Sequence, residues 1–263
     1  MVESQLLDIR NCTEESFKQI FKEMLRISLS LQSWWFRPII KRSKYLQKLM
    51  NYDHWSRAWE YPWAIMAAEM QKYSFKILDV GGGGSPFAIY LAQNGHKAYV
   101  IDPSLNQGLS TFINREKGIY RNIRSLIFSF VLKVAGIRKV WGKPAKNKIN
   151  AVHYYPYSAI GIKFPDNYFD RVFCLSVMEH IPTEIWEQCL REFERVLKPG
   201  GRLIITLDMN ASDADGRLYL KLINNCKLKI IGNPYYEVPI SLIDKQARHP
   251  GHGYETIGLV WQG

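Results

Sequence analysis

Residues 77–86 read ILDVGGGGSP, an apolar run that closes on an acid and opens into four glycines. Glycine tolerates positive φ and lets a ligand approach the main chain, at a cost in conformational entropy. A buried strand that ends in such a turn, followed by the helical pattern PFAIYLA, reserves space for a ligand at the helix N-terminus.

The surrounding rhythm sets the fold class. Short β-branched runs alternate with helical patterns from Phe75 onward, the signature of a parallel sheet with helices on its faces. The expected strands are KILDV (76–80), KAYVID (97–102), NAVHYY (150–155), FDRVFCLS (169–176), GRLIITLD (201–208), LKIIG (228–232) and YETIGLVW (254–261). Helices are expected near 85–94, 183–197 and 213–226. No helical crossover separates the last two strands, so they are expected to pair antiparallel. The expectation is a Rossmann-like α/β fold with a seven-stranded, mostly parallel sheet. The domain with that fold would span 75–263, and residues 1–74 would form a helical cap with an aromatic loop. In that cap, helices near 14–32, 38–50 and 62–73 flank an aromatic loop, NYDHWSRAWEYPW.

One connection is too long. Nearly fifty residues separate Asp102 from Asn150, where a crossover needs about a dozen. Residues 104–150 hold ten basic residues and one acid, +9 of the chain's net +11. A helical insertion is therefore expected at 104–149. Its segment 121–141 carries an apolar stripe flanked by Arg121, Arg124, Lys133, Arg138 and Lys139. Three roles suit that segment: a helix packed on the domain, a lid, or peripheral contact with an anionic membrane. No RNA module is recognisable, and nucleic acid is not an expected partner. Hydrophobic residues make up 47% of the chain, enough for a full core. The four cysteines form no CxxC pair, which points to a reducing, cytoplasmic setting and against zinc. No metal site is expected. No run is long and apolar enough to span a bilayer.

Three ligand classes use a glycine turn at this place. A P-loop fails for want of a following Lys. A dinucleotide fingerprint finds Gly81 and Gly83 but meets Pro86 at its last position, so an NAD(P) enzyme is the weaker alternative. The run ILDVGGGGSPFAIYLA resembles the first motif of class I S-adenosylmethionine (SAM)-dependent methyltransferases, with Asp79, Gly81 and Gly83 in place and Ser85 where a third glycine often stands. YVIDPS, FPDNYFDRVFCLSVMEHIP and REFERVLKPGGRLIITLDM extend that resemblance in order over about 75–208.

The resemblance implies SAM as cofactor, with Asp79 near the methionine amino group and Gly81, Gly82 and Gly83 under the ligand. Asp102, 23 residues after Asp79, would take both ribose hydroxyls, beside Pro103. The adenine position falls at Ser158 and Ala159, where the family often has an acid, and Leu175 borders the site. The acceptor would be a small or lipid-like molecule, anionic if the basic insertion recruits it, methylated on oxygen or nitrogen. A non-catalytic scaffold at a membrane is the alternative outside enzymology. His180, in SVMEHIP, is the candidate base, with His54, His153, His249 and His252 behind it. Trp55, Trp59, Tyr61 and Trp63 would either wall the acceptor pocket or anchor the N-terminal helices to the core.

Overall fold

A computed structural model describes residues 2–6, 9–31, 42, 55–70, 74–83, 85–107, 151–210, 218–233 and 254–263. Nearly all of the expected helix at 38–50, nearly all of the basic insertion with its 121–141 segment, and His54, His249 and His252 lie outside the described residues. In chain order the elements are β1 (Gln5–Leu6), α1 (Glu15–Leu31), α2 (Trp55–Ala67), β2 (Lys76–Val80), α3 (Pro86–Gln93), β3 (Lys97–Ile101), β4 (Val152–Tyr155), β5 (Phe169–Leu175), α4 (Trp186–Val196), β6 (Leu197–Asn210), α5 (Leu218–Asn225), β7 (Lys229–Ile230) and β8 (Tyr254–Gln262).

One mixed sheet organises them, in the order β1-β8-β6-β5-β2-β3-β4 with β7 also on β8. Strands β4, β3, β2, β5 and β6 run parallel. Strand β8 is antiparallel to β6 and to β7, as the missing crossover predicts. The eighth strand is β1, only two residues long and antiparallel to β8. The two residues of β1 sit in no apolar run, whereas the equally short β7 lies within LKIIG, which is why the sequence predicts seven strands.

The segment expected to be an aromatic loop is instead helix α2, which starts at Trp55 and carries Pro62 inside it. Packing overrides the proline here. Trp59 and Trp63 lie one turn apart, are fully buried and stack at 5.1 Å. Trp63 sits directly over Gly258 of β8, where a methyl group would come within 2.4 Å of the indole. Both rings therefore anchor the helix to the sheet, with Phe17, Met24 and Ile27 of α1 in the same core.

Helix α2 is fastened at both ends. At its C-terminal end two buried arginines from the amino ends of β5 and β6 reach its last carbonyls. Arg171 Nε donates to Ala68 O at 2.5 Å and Arg202 Nη1 to Ala67 O at 2.6 Å. Cations at this end also oppose the helix dipole favourably. Arg202 is further paired with Glu69 at 2.8 Å. The other end of α2 stands over the carboxyl edge of the sheet and enters the site described below.

The opposite face of the sheet is covered by α4, through Trp186, Cys189, Leu190 and Phe193. The link from β4 to β5 contains no helix. Aromatic rings fill its place: Tyr155, Tyr157, Phe164 and Tyr168 cluster around Tyr99 and Phe169 at centroid distances of 5.0–6.5 Å. Arg195 of α4 pins that loop by donating to Phe164 O and Ile162 O, both at 2.8 Å.

Candidate active site

The turn after β2 holds the conformation its glycines predict. Gly81 and Gly83 have φ of +74° and +44°. The Gly81 N–H donates to Ile101 O of β3 at 2.7 Å, which draws the turn against the neighbouring strand end. Ser85 then caps α3, its hydroxyl accepting from Phe87 N at 3.0 Å. Pro86 is the first helical residue, where its missing N–H costs nothing. The residue that weakens a dinucleotide fingerprint is thus a helix-start device.

Two carboxylates flank this turn. Asp79 stands on the α2/α3 side of the sheet, in register with Val100 and Phe173. It is 3% exposed, and its Oδ2 has no hydrogen-bond partner among the described residues. A methyl group on Gly82 would lie 2.1 Å from that oxygen. Burial, reinforced by the charge of Asp102 and opposed by Arg57, lifts the Asp79 carboxyl to about 8. Asp102, just past β3, is buried too. Its Oδ1 accepts from Ser104 N at 2.8 Å, and a methyl on Gly83 would come within 3.0 Å of its Oδ2. An orphaned buried carboxylate oxygen and a cradle of bare backbone fit a cationic ligand with a hydroxylated sugar. Pro103, beside Asp102, is exposed and opens a short 3-10 turn.

A second group of side chains occupies the same sheet edge. Glu60 of α2 is fully buried. Its Oε1 accepts from Ser176 Oγ at 2.6 Å and from Thr206 Oγ1, and its Oε2 from Arg57. Ser176 has φ of +49°, an unfavourable value for a side-chain-bearing residue. Three bonds hold it there: the one to Glu60, and its N–H to Thr206 Oγ1 at 2.9 Å and to Thr206 O at 3.1 Å. Arg57 is half-buried, and its guanidinium carbon lies 5.5 Å from the centre of the Tyr61 ring. Tyr61 shares a hydrogen bond with Ser85 at 3.2 Å, joining α2 to the glycine turn.

Glu179 follows β5 in a one-turn 3-10 helix, Met178–His180. Its Oε1 accepts weakly from Asp208 N at 3.4 Å, and its Oε2 is buried without a partner among the described residues. Asp208 in turn accepts from Thr256 Oγ1 at 2.5 Å.

The remaining expected residues are placed as follows. His180 is exposed, and its N–H closes the turn onto Val177 O at 3.0 Å. His153 stacks on Tyr99 at 4.8 Å on the face of β4 covered by the aromatic cluster, away from Asp79. Leu175 is buried at the end of β5. Ser158 is exposed and caps its own turn, accepting from Ile160 N at 3.5 Å, while Ala159 is buried in the core. The glycine turn, Asp79, Asp102 and the Glu179–His180 turn therefore share the carboxyl edge of the parallel strands, where ligands bind in such sheets. Arg57, Glu60, Ser176, Glu179 and Asp208 are absent from the sequence-based set. Glu60 is signalled only as an acid within the aromatic run Trp59-Glu60-Trp63, while Ser176, Glu179 and Asp208 lie inside the quoted motifs without standing out in them.

A family model described as "Methyltransferase domain" matches residues 40–239, well over half of the chain. The chain belongs to the methyltransferase domain family. The fold is the Rossmann-like one. Curated relatives include the ubiquinone/menaquinone biosynthesis C-methyltransferase UbiE of Vibrio cholerae, 30% identical over 131 residues, and its Vibrio vulnificus counterpart at 29%. Each match spans 49% of this chain and 40% of the relative. Solved structures similar to this methyltransferase include a SAM-dependent methyltransferase from Methanosarcina mazei. That one has 16% identity and a TM-score of 0.47, covering 75% of this chain and 96% of the other. The N-methyltransferase NodS from Bradyrhizobium japonicum is 10% identical with a TM-score of 0.45, covering 77% and 93%. Among the described residues, no helix is long and apolar enough to cross a membrane, and no group of His, Cys, Asp and Glu could hold a metal ion.

Proposed function

We propose that this methyltransferase acts on a small, uncharged molecule that must shed a proton as it accepts the methyl group. The observation that carries the reading is the unpartnered Asp79 oxygen inside a cradle of Gly81, Gly82 and Gly83, one strand from Asp102. Asp79 would hold the ammonium end of SAM, Asp102 the two ribose hydroxyls, and the glycines would let the ligand lie on bare backbone. Pro103, Ser158, Ala159 and Leu175 would border it. When bound, SAM supplies a methyl group made electrophilic by its sulfonium.

What the chain supplies is alignment and charge. Direct displacement needs the acceptor atom held within about 3–3.5 Å of the methyl carbon. The described edge carries the carboxyls of Asp79, Asp102, Glu179 and Asp208, while Arg57 is committed to the fully buried Glu60. That balance favours a neutral acceptor over an anionic one. The relatives' printed names concern C-methylation, so carbon stands beside oxygen and nitrogen as acceptor atom. Incubation with methyl-labelled SAM and a panel of neutral hydroxylated aromatic compounds tests the reading. Label should move to at least one neutral member; transfer only to carboxylates or phosphates overturns it.

The protonated Asp79 gives the donor site a pH dependence. In the ligand-free fold its carboxyl titrates near 8, above its ordinary 3.8. The folded chain therefore holds a proton that the unfolded chain has lost, and this group's contribution to stability falls as pH rises from about 4 to about 8. Binding of the donor's cation requires the carboxylate, so the proton must leave. Donor affinity should rise with pH up to about 8, by as much as about tenfold per unit. Calorimetry at pH 7 in buffers of different ionisation enthalpy should register release of about one proton. Uptake, or no transfer, contradicts this role for Asp79.

A further inference from the structure

We propose that Glu179 is the acid–base residue that faces the methyl acceptor. The inference rests on the proposed reading of the site and names the group that takes the proton. Glu179 sits where β5 gives way to the Met178–His180 turn, at the same sheet edge as Asp79. Its Oε2 is one of three buried side-chain polar atoms without a partner among the described residues; the others are Asp79 Oδ2 and Trp63 Nε1. Trp63 is wedged over Gly258, remote from the turn. The two orphaned carboxylate oxygens therefore both belong to the carboxyl edge, and the donor's single ammonium group accounts for one of them.

The charges around Glu179 suit a proton carrier. Asp208 of β6 offers its N–H to Glu179 and its charge acts on it, Arg57 of α2 opposes that charge, and Cys174 of β5 is a buried thiol pushed far up. Burial first, and Asp208 second, raise the Glu179 carboxyl to about 8, with Arg57 and two backbone N–H groups opposing. A general base works best when it titrates near the working pH. In the step, the acceptor's X–H bond breaks and its electron pair forms the bond from X to the methyl carbon. The carbon–sulfur pair stays with sulfur, the proton forms O–H on Glu179, and water later removes it. His180, one residue on, is exposed, whereas the Glu179 oxygen is screened from water.

The test compares the full chain with Glu179→Gln and Glu179→Asp. Calorimetry with S-adenosylhomocysteine should give affinities within threefold of the parent for E179Q, and at least tenfold weaker for Asp79→Asn. A tenfold loss in E179Q places Glu179 in the donor site and overturns the proposal. Infrared difference spectra between parent and E179Q should show a protonated carboxyl band that titrates near pH 8. A Glu179 ionised throughout pH 6–9 also overturns it. With the hydroxylated aromatic compound that the parent methylates best, E179Q should turn over at least about 100-fold more slowly. E179D should keep part of the rate and the rising limb of the pH profile that E179Q loses. A parent-like rate in E179Q sinks Glu179 as the base. Loss of all S-adenosylhomocysteine binding in the parent would instead sink the donor-site reading.

Discussion

Asp102→Ala should weaken binding of SAM by about 100-fold or more while leaving a folded protein. Charge-assisted hydrogen bonds are worth about 1.5–3 kcal/mol each, and Asp102 would make two of them to the ribose. A loss of about 2.7 kcal/mol is already a factor of 100. The fold has little at stake in this residue. Its side chain takes only Ser104 N, at 2.8 Å, among the described residues, and its main-chain bonds, N–H to Tyr155 O and C=O from Leu105 N, both at 3.1 Å, survive the substitution. Asp102→Asn keeps the shape and one acceptor oxygen, so it should fall between the parent and D102A. Calorimetric titration with SAM, beside a thermal melt of each variant, separates the ligand effect from any folding effect. Unchanged affinity in a folded D102A contradicts the assigned role.

Glu60→Ala should destabilise the protein by about 3–5 kcal/mol, the range for removing one partner of a buried charge network. The substitution strands two buried hydroxyls, Ser176 Oγ and Thr206 Oγ1, and leaves Arg57 without its carboxylate. It also frees Ser176 to leave its left-handed backbone conformation, since one of the three bonds that hold it is gone. For a chain of this size the melting temperature should drop by about 10 °C. Glu60→Gln can still accept from one hydroxyl and should lose less. Donor affinity should fall in E60A as well, because Arg57 and Tyr61 ride on the same helix as Glu60 and Tyr61 touches Ser85 of the glycine turn. A melt and a SAM titration check both halves; a melting temperature within 2 °C of the parent contradicts the network.

These two residues show which parts of the site are legible in sequence. Asp102 belongs to a local pattern: an apolar strand, then an acid, at a fixed distance from a glycine turn. Everything needed to read it lies within 30 residues. Glu60 meets Ser176 and Thr206 across 116 and 146 residues. Only the register of β5 against β6, with Leu175 beside Thr206, brings those hydroxyls under α2. No single stretch encodes that meeting. The helix itself is obscured by Pro62 and by four aromatic rings in nine residues, which read as a loop until Trp59 and Trp63 are seen stacked, with Trp63 over Gly258. Glu179 lies inside a motif that is legible, yet its neighbour His180 is the residue a reader picks, because histidine's free pKa already suits catalysis. Burial beside Asp208 gives the glutamate that property, and burial cannot be read from SVMEHIP. The five core strands, by contrast, follow from apolar runs that parallel sheets require on both faces.

The central claim is that the Asp102 carboxylate grips the ribose of the donor, and a thermodynamic cycle addresses it most directly. S-adenosylhomocysteine and its 2′,3′-dideoxy analogue are titrated into the parent and into D102A. If the hydroxyls and the carboxylate meet, removing the hydroxyls should weaken binding to the parent by about 100-fold and to D102A hardly at all. Equal penalties in the two proteins would mean that Asp102 and the ribose do not touch.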